Sequence, residues 1–374
     1  MIKFAEPWIT EQDKKAVSDT LESKWIAQGP KVTEFEEAVA KVSGTRYAVA
    51  TNSATMAAAI FLDYLTKVRP VYARYNVQPI ALMPAITFPS IAVQLLRRGW
   101  KLEIAEVNPE TWCMEMPPGK NVSDYDLIIP TDFAGARAPA YSNQLWGTPV
   151  LVDAACSFGL PIRKDGGVIA AVHSFYANKI ITTGNGGALV TDDEALYDYA
   201  KKARLHGLSL KTYDREQDSK LGGSYDVEFA GLKANMTDMQ AALGLSQLSR
   251  LQRSLNRRET IYKVYVDGLK EMPRVDLQKI PDETAHCMMP ITINPELHGR
   301  PPGAEKLRKF LLDKGIQTSM HYPDLRGHRI LKDALDVKAR SGFWEQREIT
   351  LPMHPNMTAK DTQKVVDAIG EYFT

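Results

Sequence analysis

His173-Ser174-Phe175-Tyr176-Ala177-Asn178-Lys179 is followed by a glycine-rich turn, Thr182-Thr183-Gly184-Asn185-Gly186-Gly187, and then by an apolar run from Ala188 to Thr191. A lysine held in a partly desolvated loop loses part of its preference for the charged form. Its neutral amine can then attack an aldehyde and form a Schiff base. Ser174, five residues earlier, can donate to a phosphate. Taken alone, the stretch is equally compatible with a surface lysine beside an ordinary glycine turn. No Gly-Lys-Ser or Gly-Lys-Thr follows the glycines, so it is not a Walker loop.

Upstream, Val150-Leu151-Val152-Asp153-Ala154-Ala155-Cys156 reads as an apolar strand ending in a carboxylate and two small residues. An aspartate there can point into a cleft and pair with a cofactor's pyridine nitrogen, keeping the ring protonated and electron-accepting. A helix cap is the simpler role for an isolated aspartate at a strand end. Asn52-Ser53-Ala54-Thr55-Met56 is a polar turn opening an Ala-rich helix, and free N–H groups at a helix start bind phosphate. Ser53 or Thr55 could equally be an N-cap, and the two roles can coexist. Phe88, after the strand-like Ile80 to Met83, can stack on a flat ring, although an isolated Phe at a strand end is more often core.

Around these motifs, helical periods at Glu11 to Leu21 and Lys31 to Lys41 alternate with short apolar runs at Tyr47 to Ala50, Ile80 to Met83 and Lys101 to Ala105. That alternation predicts an α/β fold. Further strand-like runs at Leu127 to Ile129, Val150 to Val152 and Ala188 to Thr191 each end in polar or small residues, as expected of a ligand-binding carboxyl edge. After Met236 the pattern predicts one long helix from Thr237 to Gly268. A strand at Met289 to Ile293, a helix at Ala304 to Lys314 and a last helix from Ala359 follow. The expected division is a large α/β domain over 1–240 and a smaller α+β domain over 241–374. Val68 to Pro79 reads as a surface loop.

The formal net charge of +1 gives no long-range attraction for nucleic acid or an anionic membrane. The N-terminus lacks the basic-then-apolar pattern of a secretory signal, and no apolar run approaches the ~18 residues that span a bilayer. Cys113, Cys156 and Cys287 are widely spaced, so neither a disulfide framework nor a metal site can be drawn from them. A soluble cytoplasmic protein with small-molecule substrates is the expectation.

In this order the segments resemble the nucleotide-sugar aminotransferases of the DegT family, within the fold-type I pyridoxal 5'-phosphate (PLP) enzymes. The resemblance runs over Trp25 to Lys31 with Phe35-Glu36, Asn52 to Thr55, Pro84 to Phe88, Asp153-Ala154-Ala155, Ser174 to Gly187 and Leu205-His206-Gly207. It continues through Gly231 to Asp238, Gln240 to Ala242 and Leu351 to Pro355. It implies a large mainly parallel-sheet domain with a smaller C-terminal α+β domain. Lys179 would be the catalytic Schiff-base lysine and proton shuttle. Asp153 would hold the pyridine nitrogen and Phe88 would stack on the ring, while Ser174, Ala54 and Thr55 would hold the phosphate. Asn235, and secondarily Lys233, would reach the phosphate of a neighbouring subunit, which implies a homodimer with shared sites. Cys156 stands where a Gln usually touches the phenolic oxygen, Ala54 replaces a common Gly, and Thr131 to Gly135 lies where the family often has a His.

The implied reaction moves an amino group from glutamate to a nucleotide-linked keto sugar. Trp25 to Lys31 looks more like the 4-aminotransferases, which points to a 4-keto-6-deoxyhexose; a 3-aminotransferase is the alternative. His321 and Arg326 are candidates for the sugar or the diphosphate, with a purely structural His321 equally open. Sugar dehydratases of the family normally carry His at the lysine position. A lyase or desulfurase would want a mobile Cys loop, and a non-enzymatic PLP-binding regulator would need a DNA-binding module or basic patch.

Overall fold

The computed structural model describes residues 1–68, 78–139, 147–209, 226–281, 283–294, 303–334 and 343–373. The expected loop from Val68 to Pro79 lies mostly outside these residues.

Seven strands form the large sheet: β1 (Tyr47–Thr51), β2 (Ile80–Pro84), β3 (Lys101–Ala105), β4 (Leu127–Ile128), β5 (Val150–Asp153), β6 (Val168–Ser174) and β7 (Gly187–Thr191). Their order is β1-β7-β6-β5-β4-β2-β3. Only β7 runs against the others, pairing antiparallel with both β1 and β6. Side chains alternate between two cores, one on each face. Val49, Leu151 and Leu189 enter one; Ala48, Ala50, Val150, Val152, Ala188 and Val190 enter the other. Burial on both faces explains why these strands read as continuous apolar runs.

Helices α1 (Glu11–Glu22), α2 (Pro30–Ser43), α3 (Ala54–Val68), α4 (Ser90–Leu96) and α5 (Glu194–Ala203) accompany the sheet. β6 was not anticipated as a strand. The direction of β7 also corrects the expectation for Ala188 to Thr191: its amino end, not its carboxyl end, meets the ligand edge.

The long helix expected over Thr237 to Gly268 is two helices, α6 (Asp238–Leu248) and α7 (Leu251–Leu269). The break falls at Arg250, with φ −124° and ψ 19°. The Arg250 guanidinium binds the buried Asp13 carboxylate and the Trp8 carbonyl. Helical periodicity runs on through the break, so a distant partner and not the local pattern marks it. α6 packs against α1 and α2, so the 240/241 boundary falls inside a helix that lies on the N-terminal part of the chain.

A three-stranded antiparallel sheet, β10-β9-β8, is built from β8 (Val275–Leu277), β9 (Met289–Ile293) and β10 (Glu348–Leu351). With α8 (Ala304–Asp313) and α9 (Ala359–Phe373) it encloses a third core, which also takes in Ile2, Ile261 and Tyr265. Ile2 bridges to Ile316 through the backbone, so the first residues of the chain join this C-terminal unit.

Candidate active site

The carboxyl ends of β1, β2, β5 and β6 and the amino end of β7 converge on a cavity of about 410 Å³. Ligands bind at such edges because strand ends and helix starts leave polar groups unpaired there. Its walls include Ser53, Ala54, Thr55, Phe88, Asp153, Cys156, Ser174, Lys179 and His321. Eight of the anticipated site residues are thus brought together from segments spread over nearly 270 positions of the chain.

Lys179 lies between β6 and β7, and its Nζ is 3.1 Å from Cys156 Sγ. Burial disfavours the ammonium, but the Cys156 thiol, the Tyr322 phenol and the Cys287 thiol together hold its pKa well above the usual lysine value. Desolvation thus acts in the expected direction, and the neighbouring thiols and phenol outweigh it. The two cysteines form a hydrogen-bonded pair. Cys287 is pulled down to about 6 by the bond from Cys156, against its burial. Cys156 is pushed up, first by its bond to Cys287 and then by burial. The bond between the two sulfurs thus raises Cys156 and lowers Cys287, next to Lys179.

Asp153 ends β5 and is 7% exposed. Its Oδ1 accepts from the Ala155 N–H at 3.1 Å, so it caps a tight turn while its carboxyl lines the cavity. Burial, with a contribution from Cys156, pushes it up to about 6. Such a carboxyl can share a proton with a ring nitrogen. Beneath it, buried Asp132 accepts from Ser157 Oγ at 2.5 Å and from the Ala138 N–H at 2.9 Å.

Ser53 caps α3, accepting from the Met56 N–H at 3.3 Å, and Ala54 and Thr55 open the helix. β7 approaches this turn so closely that a Cβ on Gly187 would stand 2.2 Å from Ala54 N. Glycine at 187 is what lets the strand and the helix start share one wall. Ser174 ends β6, with its Oγ accepting from the Tyr176 N–H at 3.4 Å. Phe88 is 56% exposed on the cavity wall and meets Tyr322 edge to face at 5.9 Å. The side-chain oxygen of Asn178, also on the wall, is buried without a hydrogen-bond partner. Lysine, buried carboxyl, helix start with hydroxyls and an exposed aromatic face fit the aldehyde, ring nitrogen, phosphate and ring of PLP.

Four anticipated residues are not on this wall. Arg326 is buried with Asp324, its Nε 2.9 Å from Oδ1, and its other nitrogens reach Glu106. This corrects its placement as a substrate ligand, since the guanidinium is already committed to two carboxylates. Trp25 packs over Gly29 beside a separate surface groove lined also by Asp238. Asn235 pairs through its backbone with Thr51, and Lys233 is exposed. Conversely, Tyr322 and Cys287 reach the lysine's surroundings without having been anticipated. They arrive from far along the chain, and only the unplaced cysteine count hinted at either.

A mainly parallel seven-stranded sheet with one reversed strand, carrying a lysine in the β6–β7 connection and an aspartate at the end of β5, defines a fold-type I PLP-dependent transferase. The chain belongs to the DegT/DnrJ/EryC1/StrS aminotransferase family, whose model matches residues 7–370. It is a PLP-dependent sugar aminotransferase by class. It is 29% identical to the spore coat polysaccharide biosynthesis protein SpsC of Bacillus subtilis, over 99% of this chain and 96% of that protein. Its fold matches Helicobacter pylori PseC, an aminotransferase involved in the biosynthesis of pseudoaminic acid. The TM-score is 0.84 at 23% identity, covering 100% of this chain and 99% of that one. It also matches E. coli GDP-4-keto-6-deoxy-D-mannose-3-dehydratase with bound hydrated PLP, at TM-score 0.82 and 18% identity, over 98% of this chain and 99% of that one. Among the described residues no helix is long and apolar enough to cross a membrane, and no cluster of His, Cys, Asp and Glu could hold a metal ion.

Proposed function

We propose that the protein transfers an amino group from glutamate to a nucleotide-linked keto sugar, a 4-keto-6-deoxyhexose. The observation that carries this reading is the meeting of Lys179 Nζ, the Asp153 carboxyl and the Ser53–Thr55 helix start in one cavity of a chain of this family. PLP supplies an aldehyde that holds the amino group in transit and a ring that withdraws electrons from the substrate carbon.

Lys179 would hold the cofactor through its Nζ and, when free, would serve as the proton carrier at the reacting carbon. The Asp153 carboxyl keeps the ring nitrogen protonated. Ser174 Oγ and the amides of Ala54 and Thr55 would hold the phosphate, Phe88 would stack on the ring, and Cys156 would meet the phenolic oxygen. Lys233 and Asn235, absent from their own subunit's cavity, serve the phosphate of the neighbouring subunit in a homodimer. His321 faces the sugar.

The E. coli neighbour is a dehydratase, so the fold alone does not choose between eliminating a hydroxyl and moving an amine. A lysine at 179, where the dehydratases normally have His, favours transfer. The regiochemical alternative is a 3-aminotransferase.

The test is the visible spectrum of the purified protein with PLP, before and after glutamate, for wild type and Lys179→Ala. The wild type should develop the band of lysine-bound cofactor and lose it on adding glutamate, while the variant develops none. A wild type that binds no PLP overturns the cofactor assignment. One that binds PLP but does not respond to glutamate overturns the donor.

A further inference from the structure

His321 is held from the side away from the cavity by a short chain of polar groups that ends inside the small sheet. Its Nδ1 lies 2.9 Å from Thr350 Oγ1, and Thr350 Oγ1 is in turn hydrogen-bonded to Glu348 Oε1. Glu348 and Thr350 are two residues apart on β10 and so point to the same face. The other carboxyl oxygen, Oε2, accepts the main-chain N–H of His321 at 3.0 Å. The segment is fixed further by paired backbone bonds between Ser319 and Thr350 and by Trp344 Nε1 donating to the His321 carbonyl.

Glu348 is wholly buried, and among the described residues no cation lies within ion-pair distance of its carboxyl. Arg308 donates to the main-chain oxygen of Glu348 and not to the side chain. A buried carboxyl that no cation touches is pushed toward its uncharged form. Burial accordingly pushes Glu348 up to about 8, against the bonds from Thr350 and His321 and the more distant charge of Arg308.

The proton of a neutral Glu348 can be placed. Oε2 is occupied as an acceptor, so Oε1 carries the hydrogen and donates it to Thr350 Oγ1. The Thr350 hydroxyl must then donate onward, and His321 Nδ1 is the acceptor in line. That leaves the ring proton on Nε2, the nitrogen free for the cavity that His321 lines. Burial and the nearby Lys179 push His321 down to about 4, which keeps the ring uncharged.

We propose that Glu348 and Thr350 are positioning residues that lock His321 as the neutral Nε2–H tautomer, giving the cavity a fixed, uncharged hydrogen-bond donor for an oxygen of the keto sugar. The inference rests on the sugar-transfer reading above and deepens it. A neutral donor suits a carbonyl or hydroxyl oxygen, whereas a diphosphate calls for positive charge.

Two measurements test it. Nitrogen-15 NMR of histidine-labelled holoenzyme, with the His321 signals assigned by their loss in His321→Gln, reads the tautomer directly. The wild type should show Nε2–H. Glu348→Gln should show the same, because its amide donates to Thr350 as the neutral acid does. A wild-type Nδ1–H signal that flips to Nε2–H in Glu348→Gln would mean an ionised Glu348 and overturns the proposal. The kinetic arm uses a nucleoside-diphosphate-linked 4-keto-6-deoxyhexose. Thr350→Val should raise its KM roughly tenfold relative to the KM for glutamate, the loss of one hydrogen bond's orientation, and Thr350→Ser should restore it. Equal changes in both KM values, or no rescue by serine, overturn the positioning role. A wild type that binds PLP yet aminates no such sugar overturns the reading of function, while the tautomer result still decides the state of His321.

Discussion

The side-chain nitrogen of Lys179 sits 3.1 Å from the sulfur of Cys156. A charge-neutral amide there would leave burial to act on the lysine unopposed. The sulfur pair does the reverse and keeps the ammonium protonated.

Cofactor attachment requires the neutral amine, so its rate should rise with pH through the elevated Lys179 pKa. Cys156→Ala removes one acidic neighbour and also the hydrogen bond that lowers Cys287. Less negative charge then faces Lys179, burial dominates, and its pKa falls. The pH at which PLP attachment reaches half its maximal rate should move down, as followed by growth of the visible band in stopped flow. An upward movement would refute the coupling.

Asp153→Asn keeps the shape of the site but cannot supply a negative partner to a protonated ring nitrogen. We expect PLP to bind while kcat falls roughly a hundredfold, the scale of losing one preorganised electrostatic partner in a water-poor site. Single-turnover rates with glutamate measure this. Loss of PLP binding with no slowing of the bound fraction would instead make Asp153 a purely structural turn residue.

Gly187→Ala places a Cβ 2.2 Å from Ala54 N and 2.4 Å from Ser53 C, all backbone that cannot rotate away. Separating β7 from the start of α3 should cost about 1–3 kcal/mol of stability. It should also weaken PLP affinity, because the proposed phosphate turn moves with it. Thermal melting with and without PLP checks both: the variant's melting temperature should fall, and the added stability from PLP should shrink.

Arg326→Met removes the guanidinium that Asp324 and Glu106 share. The expected loss is roughly 3 kcal/mol or more, as for removing one partner of a buried pair. Because Arg326 does not line the cavity, KM values measured below the variant's melting transition should match those of the wild type. A raised KM for the keto sugar alone would return Arg326 to the substrate site.

Asp153 and the Ser53–Thr55 turn stood out in the sequence because each follows an apolar strand, and Ser174 and Lys179 because they precede a glycine-rich turn. Each is a local pattern carrying its own chemistry. The α/β class was legible for the same reason. Strand direction was not: Ala188 to Thr191 is apolar whichever way it runs, and only its pairing with β1 and β6 sets its amino end at the site. Nor did helical periodicity register the break at Arg250, where the guanidinium binds Asp13 from the other end of the chain. Arg326 looked like a free cation until folding brought Asp324 and Glu106 to it. Cys287, Tyr322, Glu348 and Thr350 belong to the neighbourhood of the cavity only because the C-terminal unit folds back over the sheet edge. The sequence by itself determined which groups can do chemistry. Tertiary structure decided which of them meet, and hence their charge, since burial and neighbours shift a proton through distances of a few ångströms that the order of residues along a chain does not encode.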